Sequence, residues 1–368
     1  MGSVVIAAGG TGGHVYPALA AAREMAALDP SLDLFFMGSA TGLEARVVAT
    51  EGFRFLAVSS GPWHRGRPWT ILTGGFKALR GTLEARRAMR LAGARGVLST
   101  GGWASVPALL AALLGGIPIV LHEPNRAPGL VNRLFGRVAA RVTVGDPETG
   151  RRFPPRRTVV TGVPVRKAVS ETAREDARRR LGLGASSTVV LVMGGSQAAR
   201  SINAAVREAL PAFAAEGGLE LLWLCGAAGL PECSAAAAKA GLRAKVMGYL
   251  DDMGAGLAAA DLAVARAGAS TVAELLVARL PSVLVPYPYA AGDHQAANAR
   301  ALADAGAAVL LPQASLTRAS LASEVLGLAR DGGRRSAMAA KAGSLARPDA
   351  ARRVAEETLA VVGGSARC

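Results

Sequence analysis

The most distinctive residues of this sequence form glycine clusters, each standing between an apolar run and a helical pattern. The first cluster, residues 9–14, reads Gly-Gly-Thr-Gly-Gly-His. Glycine allows backbone N–H groups to approach phosphate oxygens, and the N-terminus of the following helix adds partial positive charge. A tight turn alone needs fewer small residues. We therefore expect Thr11, Gly12 and Gly13 to bind an anionic or closely packed substrate.

Three other segments carry polar side chains at equivalent places. His122, Glu123 and Asn125 close one apolar run. For His122 a hydrogen-bonded structural role and a catalytic role both remain open, whereas Glu123 and Asn125 suit sugar hydroxyls. Glu274 lies one helical turn beyond another run, where a carboxylate can accept both hydroxyls of a ribose. Gln295 follows a third run and carries an amide that can bind a hexose.

Short apolar runs alternate with longer Ala/Leu-rich stretches, and this alternation predicts the strands and helices that position these residues. This alternation is typical of βα units that build a parallel sheet. In the first half the predicted strands are 3–8, 32–37, 53–58, 96–99, 118–121 and 141–144. In the second half they are 188–193, 219–224, 262–264, 282–285 and 308–311.

Both halves open on a similar apolar run with a glycine pair, at residues 4–13 and 189–197. We expect an α/β fold of two Rossmann-like, doubly wound parallel-sheet domains that face a cleft. The predicted domains are 1–162 and 163–345, followed by a C-terminal helical segment, 346–368, that packs back on the first domain. Ligands of such sheets bind beyond the carboxyl ends of the strands, so the glycine clusters are expected to line one site.

Composition limits the class of protein. With 368 residues, of which 51% are hydrophobic and 19% charged, the chain is expected to be globular with about two domains. Three cysteines without metal-ligand spacing indicate a reducing compartment and no metal site. Dehydrogenase chemistry is disfavoured, because the first cluster has Val15 where a dinucleotide site needs its third glycine. The opening residues lack a targeting pattern, which predicts a protein that folds in the cytoplasm.

The net charge of +15 is unevenly distributed. Residues 1–162 contain 19 basic and 9 acidic residues, against 23 and 18 in the remainder. This excess indicates an anionic partner for the first half: nucleic acid, a phosphorylated substrate or an acidic membrane surface. A genome that favours arginine codons is the alternative explanation. No nucleic-acid partner is expected, because the chain lacks stacking aromatics and a known binding signature.

Residues 62–90 combine apolar and basic side chains at near-helical spacing, which suits the headgroup region of an anionic bilayer. An ordinary core helix with a solvated basic face is the alternative. The apolar members are Trp63, Trp69, Ile71, Leu72, Phe76, Leu79 and Leu83. The charged members are Arg65, Arg67, Lys77, Arg80, Arg86, Arg87 and Arg90, with Glu84 as the one acid.

The motifs GGTGGH, TGGWASVP, HEPN, TGVPVR, GGSQ, ARAGASTVAE and DHQ..NA occur in this order. In this combination the sequence resembles the MurG type of glycosyltransferase over almost the whole chain. The resemblance implies a GT-B fold and a peripheral place on the cytoplasmic face of the cell membrane. It also implies transfer of N-acetylglucosamine from UDP-GlcNAc to the C4 hydroxyl of undecaprenyl-pyrophosphoryl-MurNAc-pentapeptide (lipid I), which yields lipid II for peptidoglycan synthesis. No cofactor is implied, and other cell-wall enzymes are implied as partners.

The resemblance assigns the sugar-nucleotide donor mainly to the second domain. The matched residues are Tyr249 and Leu250 for uracil, Glu274 for the ribose, Arg166 and Ser196 for the diphosphate, Asn125 and Gln295 for the sugar, and Ala269 as a further substrate contact. Two positions depart from the family pattern. Ala198 stands where the third cluster usually has glycine, and Ala296 replaces a second glutamine, whose contact Asn298 could supply.

An α-linked donor and a β-linked product require inversion, which one in-line displacement accomplishes with a base and a sink for charge. His14 ranks first as the base because imidazole titrates near the working pH, and Glu123 ranks second. Alternatively, His14 holds the acceptor diphosphate electrostatically. The sequence has no D-x-D for a metal, so leaving-group charge is expected to fall on the cluster at residue 194, Ser196 and Arg166. Another GT-B enzyme of UDP-sugars, either a UDP-GlcNAc 2-epimerase or a glycolipid glycosyltransferase, is the alternative function.

Overall fold

The computed structural model describes residues 2–61, 69–195 and 198–364 of the chain. It divides into two compact units, each with its own parallel sheet. Unit 1 is formed by Met1–Val165 and Asp349–Cys368, and unit 2 by Arg166–Pro348. The C-terminal segment therefore belongs to the unit in which the chain begins.

Seven parallel strands form the sheet of unit 1. They are β1 Ser3–Ala8, β2 Asp33–Gly38, β3 Arg54–Ala57, β4 Ala94–Gly101, β5 Ile119–Glu123, β6 Arg141–Val144 and β7 Thr158–Val160. Their order is β3-β2-β1-β4-β5-β6-β7. The six predicted strands of this half are confirmed, whereas β7 lies where the sequence predicts none.

The strands of unit 1 read as continuous apolar runs because helices cover both faces of the sheet. All of β1 is buried. The helices before the crossing to unit 2 are α1 Gly12–Leu28, α2 Leu43–Thr50, α3 Trp69–Leu91, α4 Val106–Gly115, α5 Leu130–Phe135 and α6 Pro147–Gly150. One face packs against α3, α4 and α5, through residues such as Ala85, Leu109 and Phe135. The other face packs against α1 through Val15.

Six parallel strands form the sheet of unit 2. They are β8 Thr188–Met193, β9 Leu219–Leu224, β10 Ala244–Met247, β11 Leu262–Ala265, β12 Ser282–Leu284 and β13 Ala308–Leu310. Their order, β10-β9-β8-β11-β12-β13, repeats that of the first six strands of unit 1. This is the doubly wound order, in which ligands bind where the strand order reverses, here beyond β1 and β4 and beyond β8 and β11. The predicted α/β class with two doubly wound sheets is confirmed.

Nine helices belong to unit 2 in the described part of the chain. They are α7 Ala168–Glu171, α8 Arg174–Leu181, α9 Arg200–Ala215, α10 Leu230–Ala240, α11 Met253–Ala259, α12 Ala269–Val277, α13 His294–Asp304, α14 Arg318–Arg330 and α15 Gly332–Leu345. Short 3₁₀ turns occur at Trp103–Ser105, Pro155–Arg157, Ala227–Gly229, Ala291–Asp293 and Gln313–Ser315.

The last helix, α16 Ala350–Gly364, packs in unit 1 against α1 and β4–β6. Its buried face includes Val354 and Val362, and Glu357 forms an ion pair with Arg141 (Nε–Oε2 3.0 Å). The returning segment thus completes the second face of the first sheet. None of the helices in the described ranges combines the length and the hydropathy that crossing a bilayer requires.

Candidate functional site

The first glycine cluster forms the turn between β1 and α1. Thr11 is the N-cap residue of α1 in extended conformation, and its carbonyl accepts from the N–H groups of His14 (3.0 Å) and Val15 (3.2 Å). Within the described residues no side chain caps this helix, and its first turn contains no acid. The partial positive charge of the helix dipole lies at Gly12 and Gly13, the position at which the sequence predicts an anion site.

His14 is held at the start of α1 by the neighbouring strand. Its Nδ1 lies 2.7 Å from the carbonyl oxygen of Thr100, and the Thr100 hydroxyl donates to the His14 carbonyl at 2.9 Å. A neutral imidazole that donates from Nδ1 carries its lone pair on Nε2. The half-buried ring is therefore oriented with the tautomer that a general base requires.

His122 occupies a different environment, fully buried on β5. Its Nδ1 lies 3.0 Å from the Thr143 hydroxyl, which itself donates to the Leu121 carbonyl at 3.2 Å. Burial, together with a smaller contribution from the nearby His14, lowers the pKa of this imidazole to about 3. Of the two roles that the sequence leaves open, these contacts favour the structural one.

Glu123 is also buried, and both of its carboxylate oxygens are occupied. Oε1 accepts from the backbone N–H (2.9 Å) and the side-chain amide (3.2 Å) of Asn125. Oε2 accepts from the Gly129 N–H (2.9 Å) and from Asn132 Nδ2 (3.1 Å). Burial raises the pKa of the Glu123 carboxyl, and these four donors oppose that shift. Glu123 therefore holds the Asn125 loop in place, and its buried partner Asn132 belongs to none of the sequence motifs.

The corresponding cluster of unit 2 joins β8 to α9. Ser196, predicted to bind the diphosphate, lies outside the described residues, as does Gln197. Ala198 adopts a left-handed conformation (φ +48°), the conformation for which the family pattern supplies glycine. Its methyl group is accommodated because Gly226 lies opposite, where a Cβ would come within 2.5 Å of the Ala198 Cβ.

Arg166 and Glu274, predicted as separate ligands, contact each other. Arg166 donates to Oε1 of Glu274 from Nε at 3.1 Å and from Nη2 at 2.7 Å. The Glu274 side chain is 11% exposed and that of Arg166 is 25% exposed. One carboxylate oxygen on α12 thus fixes the guanidinium, and the other oxygen can accept from a second donor.

Arg266 is a buried cation that lies in the motif ARAGASTVAE and has no role predicted from the sequence. It follows β11 and donates from Nη1 to the carbonyls of Val285 and Pro286, both at 3.0 Å. Its Nη2 donates to Ser201 Oγ (2.9 Å) and Gln313 Oε1 (2.7 Å). A single guanidinium therefore ties together the segments that follow β11, β12 and β13 with the start of α9.

The remaining predicted donor residues also lie at the carboxyl ends of strands in unit 2. Tyr249 is 53% exposed after β10, whereas its neighbour Leu250 is buried. Ala269 begins α12 and is buried. Gln295 Oε1 accepts from the Tyr287 N–H at 3.0 Å, which leaves the amide NH₂ of Gln295 as a donor.

Asn298, the candidate replacement for the second glutamine, is 5% exposed and donates to the Ala267 carbonyl at 3.1 Å. This contact favours a structural role. The part of the chain that the structure describes contains no cluster of three His, Cys, Asp or Glu side chains that could hold a metal ion.

Two family models match the chain. The glycosyltransferase family 28 N-terminal domain matches residues 4–144, and the glycosyltransferase family 28 C-terminal domain matches residues 189–354. A relative from Desulforudis audaxviator is 41% identical over 94% of this chain and 95% of its own length. Another, from Moorella thermoacetica, is 40% identical over 98% and 99%. Both are named UDP-N-acetylglucosamine–N-acetylmuramyl-(pentapeptide) pyrophosphoryl-undecaprenol N-acetylglucosamine transferase.

Solved structures agree. Acinetobacter baumannii MurG is 30% identical with a TM-score of 0.74, covering 98% of this chain and all of that one. A UDP-N-acetylglucosamine 2-epimerase from Listeria monocytogenes has a TM-score of 0.71 at 15% identity, covering 96% and 94%, which is a likeness of fold alone. The chain therefore belongs to glycosyltransferase family 28 and, within it, to the MurG type of N-acetylglucosamine transferase, with the GT-B fold.

Proposed function

We propose that this protein transfers N-acetylglucosamine from UDP-GlcNAc to the C4 hydroxyl of lipid I, with inversion, to form lipid II. The observation that carries the proposal is the near full-length similarity to transferases of that name, which spans both units. The predicted site residues in the described ranges lie on loops or helix starts at the carboxyl ends of strands, or beside them in the case of Arg166. Ligands of doubly wound sheets bind in these places.

Unit 2 binds the donor in this proposal. One oxygen of Glu274 orients Arg166 toward the diphosphate, and the other accepts from a ribose hydroxyl. Arg266 adds a second positive charge, which is buried, at the carboxyl ends of the strands of unit 2. Both cations stabilise the negative charge that grows on UDP as it leaves.

Unit 1 binds the acceptor. The diphosphate of lipid I lies against the N-terminus of α1, where backbone N–H groups and the helix dipole favour an anion. The His14 imidazole, oriented by Thr100, removes the proton from the C4 hydroxyl. That oxygen forms its bond to C1 of N-acetylglucosamine while the bond from C1 to the phosphate oxygen breaks, and UDP leaves with the electron pair.

An assay of UDP release tests this function. With UDP-GlcNAc and a soluble lipid I analogue, we expect release of UDP that depends on the acceptor and yields a β-1,4-linked disaccharide. UDP release without acceptor, together with free N-acetylmannosamine, identifies a 2-epimerase instead. Absence of acceptor-dependent release overturns the proposal.

We further propose that unit 1 docks on an anionic membrane surface at the cytoplasmic face through α3. Its described apolar side chains are turned to solvent: Phe76 is 71% exposed, Leu79 61%, Leu83 59% and Leu91 81%. The residues of α3 that are buried in unit 1 include Ala85 and Met89. A core helix with a solvated basic face would not expose a row of large apolar side chains in addition. Residues 62–68 and the side chains of residues 69–73 fall outside the described part.

The basic residues of α3 are not equivalent. Arg80 forms an ion pair with Glu84 (Nε–Oε1 2.8 Å), which reduces its attraction to lipid phosphates. Arg86, Arg87 and Arg90 line a surface depression of about 350 Å³ together with the exposed Leu83 and Leu91.

Membrane docking is tested with vesicles of phosphatidylglycerol and phosphatidylethanolamine. Each basic residue near such a surface contributes about 1 kcal/mol, so R87E/R90E should abolish sedimentation with the vesicles, and added salt should release the wild type. The control is R23E/R352E, a reversal of two exposed charges on α1 and α16, which cover the other face of the sheet. Equal loss in the control, or equal binding to phosphatidylcholine vesicles, contradicts docking through α3.

A further inference from the structure

Glu44 is a buried acid beside the first glycine cluster, and neither the motifs nor the proposed reaction gives it a role. It lies in the first turn of α2, after β2, and is 1% exposed. On the sequence it looks like an ordinary helix-surface acid. A carboxylate this deeply buried needs hydrogen-bond donors to offset its lost hydration.

Those donors come from two different loops. Oε2 of Glu44 accepts from the Gly10 N–H at 3.2 Å, and Oε1 accepts from the Ser39 N–H at 3.0 Å. The two loops leave the sheet side by side, because Ala7 of β1 pairs with Met37 of β2. One carboxylate therefore joins the glycine cluster of the proposed acceptor site to the loop after the neighbouring strand.

The glycines around this carboxylate explain part of the glycine signature. A Cβ at Gly9, Gly38 or Gly42 would come within 2.5, 2.7 and 2.3 Å, respectively, of an atom of the Glu44 side chain. Such distances are far below van der Waals contact. At Gly9 the small residue is thus required by Glu44 and by Ala104, whose Cβ would lie 2.7 Å away, independently of any bound anion.

We infer that Glu44 is a positioning residue of the transfer reaction, an inference that rests on the proposed function. Its carboxylate accepts from the Gly10 N–H and so fixes the backbone at residues 9–10. This backbone leads into Thr11, the N-cap residue of α1, and thereby sets the position at which the His14 ring contacts the Thr100 carbonyl. A carboxylate suits this task because it accepts on both oxygens. A glutamine side chain has only one accepting oxygen. Its NH₂ group would face the second backbone N–H, so that two donors would meet.

The test compares E44Q with a matched variant, E220Q. Glu220 is 3% exposed at the start of β9, the opposite end of the sheet of unit 2 from the proposed site. Like Glu44 it accepts from a glycine N–H, that of Gly184 at 2.8 Å, and also from Ser187 Oγ at 3.0 Å. Both variants are assayed well below their melting transitions.

For E44Q we expect kcat/KM for the soluble lipid I analogue to fall about 10- to 100-fold, as a small misplacement of catalytic groups does. KM for UDP-GlcNAc should not change, because Glu44 belongs to unit 1 and the proposed donor residues belong mainly to unit 2. Hydrogen exchange, read by mass spectrometry, should become faster in a peptide covering residues 9–15. E220Q should change neither the kinetics nor that peptide.

An equal kinetic loss in E220Q, or an E44Q protein with unchanged acceptor kinetics and unchanged exchange at residues 9–15, overturns the inference. Failure of the proposed function gives a different result, namely a wild-type protein without acceptor-dependent UDP release. The exchange comparison then still decides whether Glu44 fixes the loop.

Discussion

In the two units, buried side chains of opposite charge hold the loops that follow the strands. In unit 1 the buried carboxylates of Glu44 and Glu123 accept from backbone N–H groups of the loops after β1, β2 and β5. In unit 2 the buried guanidinium of Arg266 donates to backbone carbonyls of the loop after β12. At the carboxyl ends of the strands, acceptor side chains thus hold loops of unit 1, whereas a donor side chain holds the loop after β12 in unit 2.

This difference has an electrostatic consequence. A buried guanidinium whose hydrogen bonds go to neutral oxygens keeps its full positive charge beside the strand ends of unit 2. The carboxylates of unit 1 add negative charge beneath loops whose helix N-terminus faces the proposed acceptor. The unit proposed to stabilise a departing diphosphate therefore has the more positive scaffold, which is the arrangement that leaving-group stabilisation requires.

The strongest test on the side of unit 1 is H14A. If His14 is the base, turnover with the lipid I analogue should fall by about two to four decades, the usual effect of losing general base catalysis. UDP affinity, measured by calorimetry, should be unchanged. A retained rate with weaker acceptor binding assigns His14 to the acceptor diphosphate instead, and a pH profile that H14A leaves unaltered points to Glu123.

In unit 2 the test that corresponds to H14A is R266M, which removes the guanidinium donor but keeps much of the side-chain volume. Two backbone carbonyls, a hydroxyl and an amide oxygen lose their partner, so the free energy of unfolding should fall by about 2 to 4 kcal/mol. Affinity for UDP-GlcNAc should also fall, because the loop after β12 carries the Tyr287 N–H that orients Gln295, the proposed sugar ligand. Denaturant titration and calorimetry measure both. A loss below about 0.5 kcal/mol contradicts the scaffolding role of Arg266.

The pH dependence of the free energy of unfolding should distinguish the contribution of His122 from that of the neighbouring Glu123. Because the folded pKa of about 3 lies below the ordinary 6.5, the unfolded chain binds more protons between these values. The stability that neutral His122 contributes is therefore complete above pH 6.5 and is lost as the pH falls toward 3. H122N, whose amide can still donate to Thr143, should show a shallower slope by about 1.4 kcal/mol per pH unit. The raised pKa of Glu123 acts in the opposite direction in both proteins and cancels in the difference.

Most of the fold follows from the sequence, because a strand buried on both faces needs a continuous apolar run. The two strands without a prediction, β7 and β10, are short and largely half-buried, so their composition does not distinguish them from loops. Sequence also indicates which loops are candidates to carry the proposed site, since those loops follow the strands. It does not indicate which side chains pair, because Arg166 and Glu274 are 108 residues apart and meet only in the folded unit.

That pair gives the next prediction. E274Q removes the charge that orients Arg166 and weakens the proposed ribose acceptor, so binding of UDP should weaken by about 1 to 3 kcal/mol. Lipid I analogue kinetics at saturating donor should change much less. The control is E216Q, which breaks an exposed ion pair with Arg330 in the same unit and should leave UDP binding intact. Unchanged UDP affinity in E274Q removes Glu274 from the donor site.

The smallest expected effect concerns Ala198, whose φ of +48° is costly for any residue with a Cβ. Left-handed backbone costs an alanine about 1 to 2 kcal/mol, while glycine adds about 0.4 to 1 kcal/mol of unfolded-state entropy. A198G should therefore stabilise the protein by about 0.5 to 1 kcal/mol in thermal or denaturant unfolding. R279G, at a second left-handed position (φ +51°), is the control for a purely local gain.

Ala198 is also coupled to Gly226. A Cβ at Gly226 would lie 2.5 Å from the Ala198 Cβ, and Gly226 itself has φ +82°. G226A should thus be destabilising in both backgrounds, but less so beside Gly at position 198, with a coupling of about 1 kcal/mol in a double-mutant cycle. The cycle with R279G should show no coupling, because Arg279 lies in the turn after α12. Strict additivity at 198 and 226 means that this loop relaxes around the extra methyl group, and the loops of unit 2 are then less rigidly fixed than those held by the carboxylates of unit 1.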